Sequence, residues 1–140
     1  MNAAATSSLP PDRAAALVAA AREAAANAHC PYSRYRVGAA LVAADGRVFR
    51  GCNVENASYG LTLCAERNAI ATAVAEGCRE FRALAIAGDT PDAPALPCGA
   101  CRQVMAEFCG PDVPVVVAAL ADGEPATYRL ADLLPHSFAL

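Results

Sequence analysis

The sequence of 140 residues contains no lysine and no tryptophan, and all 11 of its basic residues are arginine. Without a lysine amine, Schiff-base catalysis and the phosphate-binding lysine of a P-loop are both excluded. The formal net charge is −3, and the arginines are scattered along the chain. A protein that binds polymeric nucleic acid usually concentrates basic residues in one patch. We therefore expect no nucleic-acid partner.

Long apolar runs are also missing. The longest strongly apolar run, Val113 to Ala121, is interrupted by Pro114 and falls far short of the roughly 20 residues that a membrane helix needs. Residues 1–8 have no basic residue followed by an apolar core, so they do not resemble a signal peptide. We expect a cytoplasmic protein without a membrane partner. Because 56% of the residues are hydrophobic, we expect one globular domain over residues 1–140.

Helical and extended patterns alternate along the chain. A proline-led, alanine-rich stretch predicts a first helix that continues to Ala28, and shorter patterns predict helices at Ala65–Glu76 and Gly99–Phe108 and a turn of helix at Ala131–Leu134. Apolar segments predict strands at Val37–Ala43, Val48–Cys52, Phe81–Ala87, Val113–Leu120 and Thr127–Leu130.

The order of these elements predicts the fold class. Asp45-Gly46 is a strong hairpin signal, so the first two strands should be antiparallel. Later strands are joined through helices, and we expect them to be parallel. The sequence therefore predicts an α/β protein, a three-layer α/β/α sandwich with a mixed sheet of about five strands.

Three of the seven cysteines stand at boundaries between a loop and a helix. Cys98 and Cys101 form a Cys-x-x-Cys pair after Pro97, and Cys64 precedes the other central helix. The spacing of the pair lets two thiolates reach one metal ion, and soft thiolate ligands favour Zn²⁺. Two helix N-termini near the metal would stabilise the thiolates. The sequence predicts one zinc site formed by these three cysteines.

Glu66 indicates a catalytic rather than a structural zinc. A structural site closes all four coordination positions, whereas three protein ligands leave one position for water. Glu66 lies two residues after Cys64, where a carboxylate can exchange a proton with that water. Three thiolates give the centre a net charge of −1, which weakens the Lewis acid. Arg67 and Arg102 each follow a key residue, and we expect at least Arg67 to donate to a cysteine sulfur.

Two longer strings carry a family resemblance. Residues 53–67 read Asn-Val-Glu-Asn-Ala-Ser-Tyr-Gly-Leu-Thr-Leu-Cys-Ala-Glu-Arg, and residues 97–103 read Pro-Cys-Gly-Ala-Cys-Arg-Gln. Together they resemble the cytidine deaminase family, in which a Cys or His and then a Glu precede Pro-Cys-x-x-Cys. The chain is similar to the short, three-cysteine branch. Residues 31–41 and 133–138 also resemble the two ends of that branch, so the resemblance covers nearly the whole chain.

The resemblance implies a reaction and a role for each residue of the site. The reaction is hydrolytic deamination at C4 of the cytosine ring of cytidine and 2′-deoxycytidine, in which Glu66 transfers protons. The Ala65 N–H would hold the pyrimidine O2, Tyr35 would stack on the base, and Asn53 and Glu55 would bind the sugar hydroxyls. The resemblance further implies a homotetramer whose active sites are shared between subunits. The residues involved in that sharing would be Ala57, Tyr59 and Phe138, while Arg102 and Gln103 would support the metal ligands.

Three alternatives remain beside this interpretation. The first is a zinc deaminase for a modified or larger cytosine nucleoside, such as a blasticidin-type antibiotic. The second is a zinc-stabilised binding module without catalysis, which needs a fourth protein ligand, with Cys52 or Cys109 as candidates. The third is nucleic-acid editing, which the missing basic patch disfavours.

Overall fold

Over the described residues, the fold contains five strands and four helices. In the computed structural model, which describes residues 9–91 and 93–140, the helices are α1 (Pro11–Ala25), α2 (Ala65–Ala75), α3 (Gly99–Phe108) and the single turn α4 (Leu130–Leu133). The strands are β1 (Val37–Ala43), β2 (Val48–Cys52), β3 (Phe81–Gly88), β4 (Pro114–Ala119) and β5 (Ala126–Arg129). A short 3-10 turn covers Tyr59–Leu61.

The strands form one mixed sheet in the order β2-β1-β3-β4-β5. The hairpin expected at Asp45-Gly46 is confirmed, since β1 pairs antiparallel with β2. β1 is also antiparallel to β3, and β3 is parallel to β4, to which it is joined through α3. β5 returns antiparallel to β4. The predicted mixed sheet of five strands is therefore confirmed.

The two faces of the sheet bury different side chains. One face packs large apolar residues against α2 and α3, among them Leu41, Leu84, Ile86, Val115 and Val117. The other face presents mainly alanines to α1, at Ala40, Ala83, Ala85 and Ala87. Successive residues of a strand point to opposite faces, so the alternation in β3 supplies both layers. The predicted α/β/α sandwich is confirmed.

Two glycines let helices lie directly on the sheet. A Cβ at Gly38 would stand 1.8 Å from the carbonyl oxygen of Ala21 in α1. A Cβ at Gly51, in β2, would stand 2.4 Å from the amide nitrogen of Ala69 and 2.5 Å from the carbonyl oxygen of Ala65. Both contacts involve helix backbone, which cannot rotate away as a side chain can. Gly51 therefore sets how closely α2 approaches the sheet.

The first helix is shorter than the sequence predicts. It ends at Ala25 instead of Ala28, because the chain is drawn into pairing with the segment after β2. The His29 amide donates to the Asn53 carbonyl, and the Glu55 amide donates to the His29 carbonyl. These two bonds place residues 29–36 beside residues 53–55. The other predicted elements agree with the structure to within one residue at each end.

The topology brings the N-termini of α2 and α3 to one edge of the sheet. β2 and β3 are both antiparallel to β1, so they run in the same direction and end at the same edge. α2 follows β2 after a loop, and α3 follows β3. Both helices pack on the same face of the sheet. Their first turns consequently meet, and these turns carry the cysteines of the predicted metal site.

Two expectations from the sequence concern targeting. Over residues 9–91 and 93–140, no helix combines the length and the apolarity required to cross a bilayer. The expectation that residues 1–8 are not a signal peptide falls on positions outside the described residues.

We expect Gly51→Ala to destabilise the fold and Gly123→Ala to leave it unchanged. The new methyl group at position 51 would overlap the backbone of α2, and such overpacking costs about 3 kcal/mol of unfolding free energy. At Gly123 a Cβ meets no atom within 4 Å, so its effect should stay within about 0.5 kcal/mol. Urea unfolding of both variants measures this difference, and equal stabilities would contradict the close approach of α2.

Candidate active site

The three predicted cysteines meet where the two helices begin. Cys64 is the N-cap of α2 and Cys98 is the N-cap of α3, while Cys101 lies in the first turn of α3. The Cys64 and Cys98 sulfurs are 3.9 Å apart, and the Cys98 and Cys101 sulfurs are 3.5 Å apart. All three sulfurs lie within 4.8 Å of one another. The structure therefore brings the three cysteines into one cluster.

The spacing of the sulfurs fits a zinc ion. Tetrahedral zinc with Zn–S bonds of about 2.3 Å separates its sulfur ligands by about 3.8 Å. Among the described residues, no further His, Cys, Asp or Glu joins this cluster, so neither Cys52 nor Cys109 supplies a fourth ligand. Burial raises the pKa of Cys109 to about 12, which keeps it a neutral thiol. The donor set is thus three sulfurs with one position open.

Several groups stabilise negative charge on the sulfurs. A hydrogen bond from the Cys101 thiol, helped by Arg67, lowers the pKa of Cys64 to about 5. The same bond to Cys64, together with burial, raises the pKa of Cys101. Arg67 Nη2 lies 3.4 Å from the Cys64 sulfur, where it can withdraw charge. The two helix N-termini add positive potential at the same point. A cation bound here would replace the proton that the sulfurs share.

Glu66 is the buried carboxyl group of the site. It lies in the first turn of α2, and only 4% of its surface is exposed. Burial raises its pKa, and the charge of Cys64 raises it further. A raised pKa makes a carboxylate a stronger base, and a carboxyl group can return the proton that it has taken up. Glu66 therefore lies beside the cysteine cluster as a group suited to proton transfer.

Arg102 and Gln103 contact backbone rather than sulfur. Arg102 Nε donates to the Pro97 carbonyl at 2.8 Å, and its Nη1 donates to the Leu133 carbonyl at 2.6 Å. Gln103 Nε2 donates to the Phe138 carbonyl at 3.2 Å. Of the two arginines considered in the sequence, only Arg67 contacts a cysteine sulfur. Arg102 and Gln103 instead fasten the C-terminal segment to the helix that carries Cys101.

Asn53 and Glu55 hold the segment that contains Tyr35. Asn53 is 8% exposed; its Oδ1 accepts from the Val37 amide at 2.9 Å, and its Nδ2 donates to the Tyr35 carbonyl at 2.7 Å. Glu55 Oε1 accepts from the amides of residues 32 and 33 at 3.0 and 3.1 Å. One amide hydrogen of Asn53 is left over for a ligand. Both side chains therefore support the local backbone, in addition to any contact with a sugar.

The remaining predicted site residues divide between interior and surface. Tyr35 is half-buried, and its hydroxyl would lie 2.7 Å from a Cβ placed on Gly88 at the end of β3. Ala65 is fully buried at the start of α2. Ala57 is exposed, Tyr59 is 74% exposed, and Phe138 is 70% exposed. The structure gives these last three no contact with the cysteine cluster.

Tyr32 and Ser33 are partners of Glu55 that the sequence did not predict. The Ser33 hydroxyl donates to Glu55 Oε2, and the Ser33 Oγ accepts from the Tyr35 amide at 3.0 Å. A Ser whose hydroxyl accepts from the amide two residues later is a recognised turn motif. That motif could have been read from the sequence. The long-range bond to Glu55, 22 residues away, could not.

An open three-thiolate centre beside a buried carboxyl group, on an α/β/α scaffold, defines the class of zinc-binding hydrolytic enzymes. Residues 11–117 match the family model described as the cytidine and deoxycytidylate deaminase zinc-binding region. This match spans more than half of the chain, and the chain belongs to that family.

Curated relatives and solved structures agree with this assignment. A cytidine deaminase from Sporosarcina psychrophila is 48% identical over 123 residues, which cover 88% of this chain and 89% of that protein. One from Halalkalibacterium halodurans is 50% identical over 87% of this chain and 91% of its own length. The crystal structure of cytidine deaminase from Burkholderia pseudomallei superposes with a TM-score of 0.84 at 51% identity, covering 89% of this chain and 98% of that chain. The family resemblance drawn from the sequence is confirmed.

We expect the purified protein to hold one zinc ion per chain, and Cys101→Ala to lose it. Removing one thiolate leaves only two protein ligands, too few for a stable site. The matched control is Cys109→Ala, because Cys109 lies outside the cluster. Metal analysis of the dialysed proteins gives the ratio of zinc to chain. Loss of zinc from the Cys109 variant would mean that the ligand set has been assigned wrongly.

Proposed function

We propose that the chain catalyses the hydrolytic deamination of cytidine and 2′-deoxycytidine to uridine and 2′-deoxyuridine, with release of ammonia, as a step of pyrimidine salvage. The observation that carries the proposal is the buried carboxyl group of Glu66 beside three sulfurs with an open coordination position. A closed structural site would have no use for a buried acid. The names of the similar proteins support the choice of a cytosine nucleoside.

Cys64, Cys98 and Cys101 would hold the zinc ion, which would supply Lewis-acid activation of the attacking water. Glu66 accepts the proton of that water and delivers it to N3 of the pyrimidine. It then assists protonation of the departing ammonia. Burial raises its pKa, which favours uptake of the proton by the carboxylate before the proton is passed on to the substrate. Arg67 withdraws charge from the Cys64 sulfur. The sulfur ligands then reduce the Lewis acidity of the zinc less than three unassisted thiolates would.

The substrate is oriented by backbone and side-chain groups around the cysteine cluster. The Ala65 N–H, free at the beginning of α2, donates to the pyrimidine O2. Tyr35 stacks on the base, and Asn53 and Glu55 receive the sugar hydroxyls. A carboxylate at the sugar end repels a phosphate. We therefore propose a nucleoside substrate in preference to a nucleotide or a polynucleotide.

The alternatives from the sequence now differ in strength. The binding module needs a fourth protein ligand, and among residues 9–91 and 93–140 none stands at the cluster. A modified or larger cytosine nucleoside remains the second candidate, because the reaction at C4 would be the same. A panel of cytidine, 2′-deoxycytidine and base- or sugar-modified analogues distinguishes the two. Preference for the unmodified nucleosides supports the proposed deamination of cytidine and 2′-deoxycytidine.

We further propose that the active sites are shared within a homotetramer. Apolar side chains are exposed around residues 54–63, among them Val54, Leu61 and Leu63. The ring of Tyr59 in this segment also packs against that of Tyr32, with 5.8 Å between the ring centroids. Exposed apolar patches of this kind mark interaction surfaces. Phe138 is also exposed while its backbone is fixed by Gln103. Its ring is thus free to enter a site of a neighbouring subunit.

Two further expectations stand as proposals. The protein works in the cytoplasm, where a reducing environment keeps the seven cysteines as free thiols or metal ligands. Residues 1–140 form one cytidine deaminase-like domain, with zinc as the cofactor and a small nucleoside as the substrate.

We expect Glu66→Gln to lose kcat by a factor of about 10²–10⁴ with cytidine, because the amide cannot take up the proton. The change is isosteric, so zinc content and thermal stability should match those of the parent. The absorbance change as uridine forms measures turnover. Full activity in the variant would remove Glu66 from the mechanism, and an inactive parent that is folded and zinc-loaded would overturn cytidine as the substrate.

We expect Glu66→Gln and Phe138→Ala chains to complement each other when they are co-expressed. In a mixed tetramer, some sites combine an intact Glu66 from one chain with an intact Phe138 from another. The specific activity of the mixture should therefore exceed the mean of the two pure variants. Mixtures of Glu66→Gln with itself, tagged on separate plasmids, serve as the control. Strict averaging in the mixed tetramers would show that Phe138 serves only its own subunit or none.

A further inference from the structure

We infer that Ser33 is a positioning residue, whose hydroxyl links the Glu55 carboxylate to the backbone of Tyr35 and so couples the sugar-binding and base-binding parts of the site. The inference rests on the proposed function, since it concerns how the nucleoside is held. It adds a residue that neither the metal cluster nor the family motif around residues 53–67 contains.

The Ser33 hydroxyl lies between two groups and uses both of its functions. It donates its proton to Glu55 Oε2, and its oxygen accepts the Tyr35 amide hydrogen at 3.0 Å. The Ser33 amide also donates to Glu55 Oε1 at 3.1 Å. Tyr35 is then held from the other side, because its carbonyl accepts from Asn53 Nδ2 at 2.7 Å. Both peptide groups that flank the Tyr35 side chain are therefore fixed.

The backbone before Tyr35 needs such restraint. Arg34 has a φ of 58°, a left-handed conformation that is unfavourable for a residue other than glycine. Arg34 is held there by its amide, which donates to the Cys30 carbonyl at 2.9 Å. A residue with this conformation persists only where its surroundings over-determine it. The bonds of Ser33 and Asn53 supply that restraint and set the direction in which Tyr35 leaves the turn.

The acceptor capacity of Glu55 shows how the coupling works. An ionised carboxylate has about four lone-pair sites. Three of them are taken within the chain, by the Tyr32 amide, the Ser33 amide and the Ser33 hydroxyl. The Ser33 hydroxyl is the largest of the causes that lower the pKa of Glu55. One site on Oε2 is left, enough for one sugar hydroxyl. A substrate hydroxyl bound at this position would fill the last hydrogen-bond acceptor site of Glu55. The same carboxylate would then hold both the sugar and the turn before Tyr35.

This arrangement separates Ser33 from Glu55 in an experiment. Substitution of Glu55 removes the sugar contact and the support of the turn together. Ser33→Ala removes only the link, and it leaves the carboxylate, the metal ligands and Glu66 in place. Looser placement of the base weakens ground state and transition state alike, and such uniform loss appears in KM rather than in kcat.

The test compares Ser33→Ala with Ser33→Thr, which keeps the hydroxyl. With cytidine and zinc-loaded protein, we expect Ser33→Ala to raise KM about 10-fold or more, since a hydrogen bond to a charged group is lost. Its kcat should stay within about twofold of the parent. Ser33→Thr should return KM to within about threefold of the parent value. Zinc content, thermal stability and oligomeric state are measured for each protein.

The outcomes separate this inference from the proposed function. A parent that does not turn over cytidine overturns the proposed function. An active parent with an unchanged KM in Ser33→Ala overturns the role of Ser33 alone. A fall in kcat, zinc content or stability without a rise in KM also overturns it, because Ser33 would then be a folding residue. Should Ser33→Ala fail to fold, Ser33→Cys, which is close in size and a poor hydrogen-bonding group, must show the same rise in KM.

Discussion

The accumulation of negative charge at one edge of the sheet is the constraint on which the rest of the structure depends. Three sulfurs and a carboxyl group stand within the first turns of α2 and α3. Such a cluster is tolerable only where positive potential opposes it. Two helix N-termini and the Arg67 guanidinium supply that potential. The parallel course of β2 and β3 is needed for this reason, because it brings the two helix starts together.

The segment proposed to bind the nucleoside is held together in a different way. Its side chains are held by neutral and charge-assisted hydrogen bonds to backbone rather than by a metal. Asn53 and Glu55 leave the end of β2 and bind the turn that precedes β1. The early end of α1 at Ala25 belongs to the same arrangement, because His29 pairs with this segment. The cysteine cluster therefore depends on charge, whereas the turn before β1 depends on a few hydrogen bonds.

Much of this could be predicted from the sequence, and the exceptions have a common cause. The five strands, the three main helices and the cysteine cluster follow from local patterns of hydrophobicity, capping and spacing. Contacts between distant segments do not. The sequence predicts the contact of Arg67 with a cysteine sulfur because Arg67 directly follows Glu66 in the metal motif. No local pattern predicts the bond of Arg102 to the Leu133 carbonyl, 31 positions away. No local pattern predicts the bond between Ser33 and Glu55, since the two residues are 22 positions apart. The predicted end of α1 was wrong for the same reason. The pairing of His29 with the segment after β2 ends the helix at Ala25, despite the high helix propensity of alanine.

The alanine-rich layer between α1 and the sheet limits how the protein can change over evolutionary time. At Gly38 an added Cβ would meet the backbone of α1, and the alanines of β1 and β3 have little side chain to lose. The layer under α2 and α3 holds leucine, isoleucine and valine, which can be exchanged or trimmed at the cost of a void. Substitutions in the layer under α1 therefore destabilise the protein mainly by overpacking, and substitutions in the layer under α2 and α3 mainly by creating cavities. Sequence drift in descendants of this chain should be confined largely to the second layer and to the surface.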